Sequence, residues 1–144
     1  MASTIEARPA HSTIKGRSSL LRFALKLDAL ATGGLAVLAL TAGPLLVELL
    51  GTPLTVLWPT GLFLVCYAAA IWVTATRPSI NRTAAWGAVV LNLLWVVASV
   101  VLVVVGWLPL TVLGLTFVVA QAIAVPLFAD LQLVGLRRAR PVAA

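Results

Sequence analysis

Two carboxylates stand inside long apolar runs of this sequence, Asp28 in LRFALKLDALATGGLAVLAL and Asp130 in QAIAVPLFADLQLVGL. An ionised side chain in hydrocarbon costs a few kcal/mol or more, so an acid kept there either holds helices together through its partners or binds and releases a positive charge. Asn92, Thr74 and Gln132 are neutral polar residues in comparable runs. Arg22 precedes Asp28 by six positions and Arg137 follows Asp130 by seven. At helical rise each acid therefore lies on the order of 10 Å from a flanking cation along its own axis. Asn92 falls at similar depth. In a compact bundle, Asp28, Asn92, Asp130, Thr74 and Gln132 are predicted to form one polar layer near the basic ends of the helices, open towards the cytoplasm. Such a layer is either a proton or cation site, or a structural network in which the acids pair with Lys26, Arg22 or Arg137.

Other chemistries lack their residues. The single His11 lies in the polar leader and the single Cys66 in an apolar run, so neither a His/Cys metal centre, a thiol relay, a haem site nor a disulfide is expected. No phosphate-binding lysine motif and no dinucleotide glycine motif occurs. Intramembrane aspartyl proteolysis needs two facing acids with flanking glycine motifs, and those motifs are missing. The expectation is a non-enzymatic protein without cofactor or metal.

The elements that must position these residues are set by composition. Of 144 residues, 62% are hydrophobic and 10% charged, and mean hydropathy is +1.12. Those values exclude an ordinary water-soluble globule, whose apolar fraction is roughly 45–50%. The length accommodates about four helices of ~20 residues with short loops. The predicted fold is an all-α membrane protein, a four-transmembrane-helix bundle with spans at about 20–42, 54–76, 83–106 and 109–136. Residues 1–19 read as a disordered leader and 137–144 as a basic tail. The first apolar run is longer than the roughly 7–15 residues of a signal peptide core, and it carries Asp28, so it reads as a span. Gly43-Pro44 ends it, and LLVELLGTP (45–53) is too short to cross again, which suits an interfacial half-helix.

The ten Lys and Arg give a net charge of +6. All ten fall in or beside the leader, the link between spans two and three, and the tail, while the two opposite loops contain none. These are membrane-flanking charges, not a nucleic-acid surface. Because basic residues are retained on the cytoplasmic face, both termini are expected in the cytoplasm. Trp58 and Trp107 then belong to the outer interface and Trp72 and Trp86 to the inner one.

Pro53-Leu54-Thr55-Val56-Leu57 recurs as Pro109-Leu110-Thr111-Val112-Leu113, and Leu27-Asp28 aligns with Leu91-Asn92 at an offset of 64. Two helical hairpins duplicated as a parallel repeat would produce this pattern. Ala88, Asn92 and Ser99 share one face of span three with Trp95 beside them. In span four, Gln121 and Gln132 share a face while Asp130 points roughly opposite Gln121, so the two polar features need not share a cavity. Pro126 removes a backbone donor inside span four; Pro59 reads as a first-turn proline of span two.

The stretches LRFALKLDAL, NLLWVVASV and QAIAVPLFADLQLVGLRR resemble a group of small four-span integral membrane proteins of high-GC, actinobacterial-type bacteria. The likeness runs from Leu21 to Arg138. It implies a multi-pass protein of the bacterial cytoplasmic membrane and carries no activity with it. Two roles follow as expectations. One is an accessory or interaction subunit in the lipid bilayer, bound to a membrane-protein partner or to a second copy. The alternative to it is a small proton- or cation-coupled transporter or permeation unit using the acidic layer near the cytoplasmic leaflet.

Overall fold

The structure is a computed structural model that describes residues 11–139, with side chains described from residue 19. Among the described residues every regular element is helical: α1 (His11–Thr41), α2 (Gly43–Leu50), α3 (Leu54–Thr76), α4 (Arg82–Val105) and α5 (Val112–Arg138). Four of them are long and apolar enough to cross a bilayer, over Ser19–Thr41, Leu54–Thr76, Arg82–Val105 and Val112–Arg138. The chain is thus a four-span helical membrane protein, and the predicted spans agree with these helices to within a few residues. The tail beyond 139 and the first half of the leader lie outside the described residues. The second half of the leader differs from expectation. α1 reaches back to His11, because extending a helix already nucleated in the span adds one hydrogen bond per residue fixed.

The short α2 matches the half-helix read from the sequence. Pro44 opens it, and Gly51 closes it in the left-handed region at φ 74°, its N–H bonded to Val47 O. Its last turn is pinned to the start of α5: the Thr111 N–H donates to Leu50 O at 3.1 Å, and the Thr111 hydroxyl donates to Leu49 O. Contact is backbone to backbone here. A Cβ on Gly114 would sit 2.0 Å from Leu50 O, so only glycine allows this approach.

α1 packs chiefly on α3, and α4 chiefly on α5; α1 also lies along α5, whereas α3 and α4 barely touch. The hydrophobic core gathers in one half of the bundle, around Leu21, Leu25, Ile71, Ala75, Ala85, Val89 and Leu136. Small residues let the helix axes close up there, which is how apolar helices gain packing energy in lipid. Arg22, Arg77, Arg82, Arg137 and Arg138 mark this basic end, while Glu48 on α2 marks the other. Two arginines tie helix ends across the bundle. Arg22 donates to the carbonyls of Ala75, Arg77 and Pro78 at the end of α3, and Arg82 to Leu136 O near the end of α5. These are carbonyls without a partner inside their own helices, and a cation suits the negative end of a helix dipole.

The other half is less filled. A cavity of about 360 Å³ lies among α1, α2, α3, α4 and α5, reaching Thr52, Trp107 and Leu108 at the loop end. A second, of about 220 Å³, continues inward from it, and the two share Leu35, Leu64, Trp95 and Gln121 as walls. At that waist the indole N–H of Trp95 donates to Gln121 Oε1 at 3.3 Å. Pro59 lies inside α3, beyond its first turn; it leaves the carbonyl of Thr55 without a helical partner, contrary to the first-turn position expected. Pro126 stands inside α5 as expected.

Candidate functional site

The site is built on α1. Asp28 lies nine residues from Ser19 at the basic end of the span, about 14 Å along the axis, and its side chain is 1% exposed. Every other long helix sends it one polar side chain. From α3 the hydroxyl of Tyr67 donates to Asp28 Oδ2 at 2.9 Å, from α4 the Asn92 amide donates at 3.0 Å, and from α5 the Gln132 amide donates at 2.7 Å. Thr32, one turn along α1, donates to Oδ1 at 3.2 Å. Four neutral donors surround one carboxylate, and none of them is a cation.

The predicted layer is therefore partly assembled. Asp28, Asn92 and Gln132 meet as expected. Thr74 does not join them: its hydroxyl turns back to Ala70 O at 2.8 Å, the usual resort of a threonine whose helix offers a nearer acceptor. Asp130 is exposed on the outward side of α5, because the residue two positions from Gln132 on a helix is rotated well away from it. The suggested charge pairing is also corrected. Arg22 spends its donors on the α3 carbonyls, Lys26 is exposed, and Arg137 is exposed near the end of α5.

Tyr67 and Thr32 complete the cluster. Thr32 follows Asp28 by four positions, one helical turn along the same face. Tyr67 was not singled out, although it is the only tyrosine and sits nine residues inside the end of α3. Tyrosine in a membrane helix normally keeps its hydroxyl at the interface, so a mid-span tyrosine signals a buried acceptor.

Thr32, Tyr67 and Asn92 also line the smaller cavity, so the cluster forms its floor. The space lies on the loop side, not on the basic side to which the layer was expected to open, because Leu21, Leu25, Ala75, Ala85 and Leu136 fill the basic half. Phe63 stacks with both Tyr67 and Trp95 at centroid distances of 6.4 Å, carrying an aromatic wall from the floor to the waist. Gln121 faces the same space. The shared face of Gln121 and Gln132, with Asp130 on the other side, is as the helical spacing predicts.

Hydrogen-bond accounting shows two unusual features. Tyr67 has a single proton but two acceptors in reach, Asp28 Oδ2 and Asn92 Oδ1 at 3.2 Å. Gln132 Oε1 is buried with no partner, although buried polar atoms are nearly always satisfied. Among the described residues, no group of three or more His, Cys, Asp or Glu side chains is placed to hold a metal ion.

No family model matches the chain, and no curated protein or solved structure is detectably similar to it.

Proposed function

We propose that this chain is a small, non-enzymatic, proton- or cation-coupled transporter or permeation unit of the bacterial cytoplasmic membrane, with both termini in the cytoplasm. The observation that carries the reading is Asp28: a carboxylate buried in a membrane span, held only by neutral donors, beneath a cavity that reaches the end of the bundle bearing no cations. The basic flanks support the orientation, which opens the cavity outward.

The cluster is suited to gaining and losing a proton because its bonds can be met in both states. With Asp28 ionised, Tyr67 donates to Oδ2. When Oδ2 takes up a proton, that proton is donated to the Tyr67 hydroxyl oxygen, and the phenol proton turns to Asn92 Oδ1. Rotation of the Gln132 amide offers a second route, in which its unpartnered Oε1 accepts that one proton in place of the Tyr67 oxygen. A network satisfied both ways lowers the penalty that burial places on either form. A peg that only fixed helix register would be served as well by a neutral amide and would need no cavity above it.

The paired hairpins give further support. Asp28 and Asn92, aligned at an offset of 64 in the proposed duplication, hydrogen-bond directly, as equivalent residues beside a pseudo-twofold axis would.

Infrared difference spectroscopy of the protein in liposomes tests the proposal. Acidification is expected to raise a protonated-carboxyl C=O band that is lost in Asp28→Asn. A wild-type spectrum without that band, or one unchanged by Asp28→Asn, would overturn it. The interaction-subunit reading is favoured by a different feature, the outward face of α5.

A further inference from the structure

α5 buries the least of its apolar stretch, 11% against 33% for α1. Its uncovered side carries Ile123, Leu127, Asp130 and Val134, all exposed, at spacings of four, three and four that place them on one stripe. Asp130 lies eight residues before Arg138, about 12 Å along the helix from the basic end. We infer that this stripe is the docking face for a transmembrane helix of a different protein, one bearing a Lys or Arg at the depth of Asp130. The inference is independent of the proton site at Asp28 and rests on the interaction-subunit reading.

Charge complementarity selects that occupant. Lipid tails offer a carboxylate neither a donor nor a counter-charge, and the short Asp side chain lacks the long stem by which Lys and Arg reach the headgroups. The chain's own Arg137 shares the stripe but stands seven residues, about 10 Å, further along, where its guanidinium belongs to the headgroup zone. A second copy docked two-fold through this stripe would set Asp130 against Asp130, a like-charge pair. One docked head to tail through the exposed Lys26 of α1, seven residues, about 10 Å, from Ser19, would not close into a dimer. A foreign helix with one basic residue supplies what is missing, and Ile123, Leu127 and Val134 give it an apolar seam on either side of the ion pair.

Energy transfer in liposomes tests this. The donor fluorophore is placed on Cys66, which is exposed. The acceptor is carried by a synthetic Leu/Ala transmembrane helix with a single Arg about 12 Å from one end, or by the same peptide with Leu there. Wild type is expected to bind the Arg peptide about tenfold more tightly than the Leu peptide. Asp130→Leu, checked for native helix content by circular dichroism, is expected to lose that preference. The inference is overturned if wild type binds both peptides equally, or if the preference survives in Asp130→Leu. It is also overturned if the protein instead pairs with itself through Asp130 in the absence of peptide.

Discussion

The side-chain nitrogen of Gln132 lies 2.7 Å from Asp28 Oδ2, although the two residues are 104 positions apart in the chain. This bond joins the first long helix to the last. Removing the amide leaves a buried carboxylate one donor short, and a hydrogen bond to a charged group contributes about 1.5–3 kcal/mol. Gln132→Leu should lower stability by that order, read as a fall in Tm in detergent. A variant melting with wild type would show that Gln132 contributes no net stability.

Tyr67→Phe keeps the ring that stacks on Phe63 and deletes only the hydroxyl. Stability should fall by about 1.5–3 kcal/mol, the contribution of one hydrogen bond to a charged group, since the Asn92 and Gln132 amides still donate to Oδ2. The effect on proton binding should be larger in kind, since the variant has no group to relay between Asp28 and Asn92. Its carboxyl band on acidification should shift in position compared with wild type. An unshifted band would remove Tyr67 from the proton path.

Arg22→Ala frees three carbonyls at the end of α3. Because the site is partly solvent-exposed, the loss should be about 1 kcal/mol after screening. It should appear locally, as faster amide hydrogen exchange over residues 75–80, with α4 and α5 unaffected. Arg22→Lys should recover only part, since an ammonium cannot spread its donors as a guanidinium fork does. Uniform exchange in all variants would show that the arginine does not hold this turn.

Gly114→Ala and Gly87→Ala should differ sharply. The first puts a methyl 2.0 Å from Leu50 O, whereas the second meets nothing within 4 Å. Gly114→Ala must push α2 off α5 and should cost about 1–3 kcal/mol or more. Gly87→Ala should be neutral or stabilise by up to about 1 kcal/mol through helix propensity. Equal melting temperatures for the two variants would refute the tight approach of α2 to α5.

The span boundaries were legible in the sequence because bilayer thickness and hydropathy fix them with little help from packing. The meeting of Asp28, Asn92 and Gln132 was legible from depth alone. Depth does not specify azimuth, however, and azimuth decided Asp130, which was placed at an appropriate height but faces away from Asp28. Thr74 failed on depth itself: it shares the azimuth of Tyr67 on α3 but stands seven residues, about 10 Å, nearer the basic end. Tyr67 was overlooked because its ring reads as one more apolar residue until an acid is found opposite it. The partners of Arg22 were beyond reach for another reason: free carbonyls at a helix end are a property of the backbone and leave no trace in residue type.

The bundle is densely filled at its basic end and roomy at the other, and that imbalance makes its mechanical response uneven. Void space is the volume that squeezing removes, so hydrostatic pressure should strain the loop half first while the basic end serves as fulcrum. Any motion that widens or narrows the chamber therefore acts as a lever about the Arg22 and Arg82 fastenings.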